Sequence, residues 1–455
     1  MAHKELTQGV NSTEGSVVRG IVRFSLPYLL SYLLQTLYGM ADLFIIGQFD
    51  PVAATTAVSI GSQVMHMLTV ILVGLAMGAT VSIGQAVGAK KDTSPYIGGT
   101  VTLFLALSIV LTGILCALIR PITSVMATPA EAVDGTVSYL LVCFLGIPFI
   151  TAYNIISSIF RWMGDSRRPM YFIAVACVCN IALDYLFIGA LSLGPTGAAL
   201  GTTIAQAISV LLSLLVIRSH GKEMGIRLQK RDLVPDKAVL GRILRIGFPI
   251  AMQDGLIQIA FIIITVIANW RGLNDAAAVG IVEKFISFVF LVPSSMLSTV
   301  SALGAQNIGA GKPERARQTL YTAIAIAAGF GLVIALLIQQ IAEPVVALFT
   351  NAADSAEVVR LGGEYLRGYI WDALFAGIHF CFSGYFCACG RSELSFLHNI
   401  SAIALVRIPG VYFASLRYPD TLFPMGIATA CGSLTSVIIC VAAFLLLRKK
   451  ERESI

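Results

Sequence analysis

Twelve apolar stretches recur along the 455 residues of this chain, and each is about the ~20 residues that a helix needs to cross a bilayer. Hydrocarbon offers no water to backbone N–H and C=O groups, so such a stretch must close its hydrogen bonds internally, as an α-helix does. The pattern predicts spans at 23–48, 53–80, 96–119, 136–160, 169–190 and 196–217, then at 244–270, 277–303, 317–341, 366–388, 395–416 and 422–447. The expected fold is an all-α membrane protein with twelve transmembrane helices in two six-helix lobes. The domain reading follows: a tail at 1–22, an N-lobe at 23–217, a charged linker at 218–243, a C-lobe at 244–447 and a tail at 448–455. Only 12% of residues are charged, about half the usual share in soluble proteins, which excludes an ordinary soluble enzyme or nucleic-acid-binding protein. Residues 1–22 lack an apolar core before a cleavage site, so no signal peptide is expected. The nine cysteines lie in or beside apolar stretches without disulfide or zinc spacing and read as small buried hydrophobes.

Lysine and arginine set the orientation. With the N-terminus in the cytoplasm, 24 of the 31 basic residues fall inside, five fall outside (Arg120, Arg271, Arg360, Arg367, Arg417), and Lys284 and Arg407 lie within spans. The expectation is a multi-pass protein of the cell (inner) membrane with both termini and the linker cytoplasmic. The net charge of +6 then reflects topology and anionic lipid, with no nucleic-acid partner required.

An internal repeat is visible. Ala57–Ile60 (AVSI) matches Ala278–Ile281 (AVGI), and Gly84–Lys90 (GQAVGAK) matches Ala305–Lys312 (AQNIGAGK). Ser157–Ser166 matches Ser383–Ser392, and Pro27 matches Pro249. Each copy holds an even number of spans, so the copies share one orientation, a parallel repeat. Two such lobes enclose a cavity, and alternating access is the motion they imply.

Ionisable groups at membrane depth are costly and by default functional. Ser31, Gln35, Tyr38 and Asp42 form one stripe of span 1, with Pro27 above it as a hinge. Asn180 and Asp184 share a face of span 5, and Thr202, Gln206, Ser209 and Ser213 one of span 6. Ser, Thr and Gln also serve simply to cross-link helices. Two aspartates in a lobe without a mid-depth Lys or Arg need another counter-charge, and an exchangeable H⁺ or Na⁺ supplies one. In the second lobe Asp254 shares a face with Gln258, Glu283 with Ser287, Ser294 and Ser298, and Asp372 with His379 and Ser383. Lys284 or Arg407 could neutralise one of these acids, so fixed ion pairs and a second site both stand as readings. His66 reads as a packing or helix-bridging group.

Pro27, the Gln35–Asp42 stretch (QTLYGMAD), the Gln85–Lys90 segment with its second copy Gln306–Lys312, Asn180-x-x-x-Asp184, Gly197–Ala199 and Thr202 together resemble the MATE family of multidrug and toxic compound extrusion transporters, over about residues 20–447. The resemblance implies a twelve-helix antiporter driven by Na⁺ or H⁺. It implies that Asp42, Asn180, Asp184 and Thr202 hold the coupling cation, Na⁺ included, and that Gln35, Tyr38, Tyr139 and Asn154 line the same cavity. Asp42 and Asp184 look like the prokaryotic branch coupled through the first lobe. Some relatives couple through a span-7 Glu and a span-10 Asp, and Asp254, Glu283 and Asp372 are the second-lobe candidates here.

The function expected is export of organic cations or amphipathic compounds by a monomer in exchange for H⁺ or Na⁺, with no cofactor. A lipid-linked oligosaccharide flippase is the alternative, but it would want several basic residues to hold a diphosphate, and only Lys284 and Arg407 are available. A membrane-embedded enzyme would want a metal-binding Asp-x-x-x-Asp or His-Glu-x-x-His helix, and no predicted span carries either. Cysteine labelling on a cysteine-free background tests the topology: positions 225 and 452 should react only with reagent on the cytoplasmic side, and strong labelling from outside would rule it out.

Overall fold

A computed structural model describes residues 13–162, 165–220, 230–234, 236–349 and 356–453. The N-terminal tail up to 12, the linker residues 221–229, including position 225, and residues 454–455 lie outside the described residues. The helices are α1 Val17–Phe49, α2 Val52–Gly88, α3 Ser94–Ala117, α4 Ile119–Val125, α5 Val133–Leu145, α6 Ile147–Trp162, α7 Arg167–Asp184 and α8 Gly194–His220. The second half holds α9 Lys237–Arg271, α10 Leu273–Val289, α11 Leu291–Gly309, α12 Pro313–Ala347, α13 Ala356–Tyr369, α14 Trp371–Ala388, α15 Ser392–Ala402, α16 Ile408–Arg417 and α17 Phe423–Glu453. Among the described residues eleven helical rods are long and apolar enough to cross a membrane, and the pair Ala130–Leu145 and Ile147–Trp162, bent by 47°, supplies a twelfth. Every span expected from the sequence has its helix. The tenth begins earlier than expected, as α13 and α14 form one rod from Ala356 to Ala388.

The chain divides into two compact units, one built on Val22–Ala251 with Gly309–Gly311, the other on Ser16–Ile21, Met252–Ile308 and the chain from Lys312 onward. In the first unit α7 packs on α8, α5 on α8, and α2 on both α5 and α6. The first half of α9 belongs here too: a Cβ on Gly78 would meet the backbone of Ile243 and Gly247, and one on Gly247 would meet Leu75. In the second unit α12 packs on α14, and α13 and α14 both pack on α17. There Gly368 and Gly426 face one another, each leaving no room for a Cβ against the opposite backbone. Small residues at such crossings let helices approach closely where no hydrophobic effect drives them together.

The segments that recur in sequence are helix ends. Gly84–Gly88 continues α2, and the chain then turns at Lys90 (φ 54°), with Lys91 N–H donating to Ala86 O at 2.9 Å. Its copy ends α11 at Gly311 (φ 71°), with Lys312 N–H donating to Asn307 O at 2.9 Å. The other pair repeats the bond: Asp165 N–H to Phe160 O, and Arg391 N–H to Phe386 O after Gly390 (φ 71°). All four are six-to-one bonds that satisfy an orphan carbonyl, and at Lys90, Gly311 and Gly390 the chain passes through a left-handed residue to make them. A left-handed lysine is strained by about 1 kcal/mol. Lys90→Gly is therefore expected to raise thermal stability slightly and Gly311→Val to lower it by about 1–2 kcal/mol, both read from thermal unfolding in detergent.

Candidate cation-coupling site

The polar stripe of α1 turns inward in the first unit. Asp42 is 3% exposed, and Thr202 on α8 donates its hydroxyl to Asp42 Oδ2 at 3.0 Å. Asn180 and Asp184, one turn apart on α7, are both buried, and Asp42 lies close enough to interact with both. The α7–α8 contact is tight because Gly201 has no side chain, and a Cβ there would overlap Asp184 Oδ1. Thus four sequence-predicted residues from three helices, Asp42, Asn180, Asp184 and Thr202, stand together.

Their hydrogen bonding is incomplete. Among the described residues, Asp42 Oδ1, both oxygens of Asp184 and both amide atoms of Asn180 are buried without a hydrogen-bond partner, and no basic side chain bears on either aspartate. Carboxylate, amide and hydroxyl oxygens in this number suit a small hard cation, and two facing carboxylates suit a shared proton equally.

Around this core, Gln206 donates to the Tyr38 hydroxyl at 3.4 Å, and Tyr38 lies near Asp42 and Tyr153. Tyr139 is buried, its hydroxyl 3.1 Å from Ser62 Oγ and its ring seated where Gly61 leaves space. Gln35 is half-buried beside Tyr153. Asn154 is buried, and its amide donates to Ile150 O of its own helix at 2.9 Å. Gly201 and Ser62 were not singled out by sequence reasoning. Gly201 directly precedes Thr202 in an Ala-Ala-Leu-Gly-Thr run, and small residues there are the signal of a close crossing. Pro27 lies inside α1, which continues through it, and Ser31 Oγ donates to Pro27 O at 2.9 Å. Beside it Ser166 Oγ donates to Phe24 O at 2.7 Å, and Arg161 stacks over the Tyr28 ring.

The second-unit acids do not form one cluster of that kind. Asp372 is fully buried and pairs with Arg407 at 2.5 Å, and Arg407 also donates to Ser433 Oγ at 3.2 Å, in space left by Gly432. Glu283 accepts from Thr265 Oγ1 at 3.2 Å and feels the charge of Arg407. Asp254 is half-buried on α9 beside Gln253. The base that neutralises an acid is Arg407, while Lys284 is exposed. His379 stacks edge-on with His398 at 5.5 Å, and His398 Nε2 is 2.8 Å from Ser383 Oγ. His66, expected in packing, is exposed. Of the cysteines, all free, five are buried, and Cys431 is exposed, a correction to the uniform burial expected.

A duplicated bundle of twelve apolar spans with unmatched acids in its first half defines a class, the helical polytopic membrane proteins built from two parallel repeats. Within that class the chain belongs to the MATE family. The MatE family model matches residues 27–186 and again 249–413, once per repeat, each match opening on a proline. A Bacillus subtilis protein described as a probable multidrug resistance protein, YoeA, is 28% identical over 407 residues, covering 88% of this chain and 87% of its own. A second from the same organism, YpnP, likewise described, is 27% identical over 96% of both chains. Among solved structures, an outward-facing multidrug resistance MATE transporter of the MOP superfamily superposes with a TM-score of 0.87 at 23% identity, covering 97% of each chain. A MOP superfamily transporter from Pyrococcus furiosus described as having a binding pocket of reversed polarity superposes with a TM-score of 0.88, also at 23% identity, covering 97% of each chain. These superpositions show the shared fold.

The two kinds of buried acid should respond oppositely to neutralisation. Asp372→Ala leaves Arg407 buried without its partner and is expected to destabilise the fold by about 3–5 kcal/mol, with Asp372→Leu/Arg407→Met recovering most of it. Asp184→Asn removes an uncompensated charge and should keep or raise thermal stability, read by unfolding in detergent.

Proposed function

We propose that this chain is a secondary multidrug exporter that exchanges organic cations or amphipathic compounds for H⁺ or Na⁺ through the Asp42–Asp184 pair. The observation that carries the reading is the pair itself: two buried carboxylates with three unpartnered oxygens between them and no basic side chain in reach. A structural role would call for a fixed counter-charge such as Arg407 gives Asp372, and a group that must exchange its counter-ion is the alternative use for so costly an arrangement.

The coupling ion is cargo in this scheme. Asp42, Asp184, the Asn180 amide oxygen and the Thr202 hydroxyl oxygen hold Na⁺, or the two carboxylates share H⁺ as one titrating unit. Arrival of either cancels negative charge that otherwise favours a cationic substrate in the same lobe, so substrate and ion compete. Tyr38, Gln35, Tyr139 and Asn154 form the substrate-facing surroundings of the pair. Pro27 supplies the hinge: it has no N–H to donate, so the carbonyl of Arg23 lacks its helical partner and α1 can bend there with Asp42 on its far end. The protein is placed in the cell membrane as a monomer, with its termini and central connection in the cytoplasm.

Proteoliposomes with independently imposed Na⁺ and pH gradients and a cationic dye test the scheme. Uphill efflux should follow one of the two gradients, and Asp42→Asn and Asp184→Asn should each reduce it at least ~100-fold, about 2.7 kcal/mol, at unchanged protein level. Dye affinity should fall as pH drops or as Na⁺ rises, and that dependence should vanish in the double variant. Near-normal uphill efflux in either single variant would remove that residue from the coupling role. A dependence that survives the double variant would move coupling to Asp254, Glu283 and Asp372.

A further inference from the structure

The exposed faces of the spans sort by chemistry. Most turn large apolar side chains outward, as lipid requires: Phe44 on α1, Ile109 on α3, Val178 on α7, Leu215 on α8, Leu336 on α12 and Ile438 on α17. The rods Ala356–Ala388 and Val52–Gly88 are exceptions because both are mostly buried, whereas Leu273–Gly309, no more buried than the lipid-facing rods, is an exception for another reason. Along Val52–Gly88 no large hydrophobic side chain is exposed after Val52, and along Leu273–Gly309 none after Leu273. Past Val52 in the first and past Ala277 in the second, what is exposed is polar: Gln63 and His66, and Lys284 and Ser287. These positions correspond. The offset of 221 that carries Ala57–Ile60 onto Ala278–Ile281 carries Gln63 onto Lys284 and His66 onto Ser287.

A polar outward face repeated in both copies of one span is a surface made for water and solute, since lysine set against lipid is penalised by at least a few kcal/mol. Lys284 is also too deep to escape by snorkelling. Arg271 and Asp275 anchor the start of α10, with Arg271 donating to the carbonyls of Ser415 and Tyr418 in the 415–421 turn. Lys284 comes nine residues after Asp275, about 14 Å further along at 1.5 Å per residue, roughly half of a ~30 Å hydrocarbon core. Its neighbour Glu283 is engaged with Thr265, and among the described residues Lys284 itself forms no hydrogen bond or ion pair.

We infer that Lys284 is a substrate-recognition residue that holds the carboxylate of a zwitterionic amphiphile, so that the exporter takes carboxylate-bearing compounds as well as simple organic cations. This rests on the export reading and narrows its substrate class. One ammonium is a point charge suited to one carboxylate, whereas a diphosphate wants several donors. Asp254 and Glu283, acids on α9 and α10 of the same unit, oppose a polyanion and favour a ligand that also carries positive charge.

A matched pair of dyes reads the difference: rhodamine 110, a zwitterion with a free carboxylate, and rhodamine 123, its cationic methyl ester. Binding to the purified full chain is measured for wild type, Lys284→Met, Lys284→Gln and Lys284→Arg. The free acid should lose about tenfold or more in affinity in the Met and Gln variants and keep most of it in the Arg variant, while the ester changes less than about twofold. An acid-to-ester ratio unchanged by Met and Gln overturns the assignment. Efflux of the ester in proteoliposomes is scored separately: its absence in wild type would count against the export reading, while loss of acid binding in the variants would still assign Lys284 its carboxylate.

Discussion

A carboxylate held away from both water and positive charge is the most demanding group in this molecule, and the first unit is arranged around two of them. Asp42 reaches the cluster from α1, Asp184 and Asn180 from α7, and Thr202 from α8, so three helices must keep their rotation and depth for the four side chains to meet. Gly201 shows how little slack there is, since even a methyl group would displace Asp184. In the export reading proposed above, an ion or proton from solution completes the cluster, which ties the packing of the unit to its chemistry.

The second unit solves the same problem with a side chain of its own. Arg407 supplies a permanent counter-charge to Asp372 and reaches Ser433 and the Thr429 carbonyl as well, so that a buried charge is balanced by the chain itself. Removing either partner would strand the other, but nothing in that arrangement calls for an ion from outside. Duplicated scaffolds thus carry different electrostatic arrangements in their two halves, one with a counter-charge from the chain and one without.

Sequence periodicity made the spans legible because hydrocarbon admits so few backbone solutions, and the i, i+4 spacing of Asn180 and Asp184 put them on one face before any coordinates. Which acid meets which base was not legible. Lys284 and Arg407 are equivalent in a linear reading, and only the packing of α14 against α17 and the space at Gly432 brings Arg407 to Asp372 while Lys284 stays outside. The repeated Gly84–Lys90 and Ala305–Lys312 segments were conspicuous in sequence for a local reason: each must end a helix with a left-handed residue. The 47° bend between α5 and α6 has its mark in Gly146 and Pro148, a helix stop followed by a helix start, which an apolar count over 136–160 passes over.

Two short π-helical turns fall in the equivalent spans of the two repeats, Tyr185–Ala190 directly after Asp184 and Ile403–Arg407 ending on Arg407. They stand at different heights: the tripeptide Ile-Ala-Leu ends just before Asp184 at 181–183 and lies inside the second turn at 403–405. A π turn holds one residue more than the helix around it needs. That surplus can migrate along the rod without breaking it, and each residue it passes rotates by about 100°, one step of a 3.6-residue turn. Beside Arg407 such a rotation is resisted by the ion pair with Asp372. Beside Asp184 it is resisted by packing, since that carboxylate fills the space Gly201 leaves open. A surplus residue is therefore pinned by a charge pair in one half of the chain and by close fit in the other, so that two unlike kinds of contact hold the same irregularity in place.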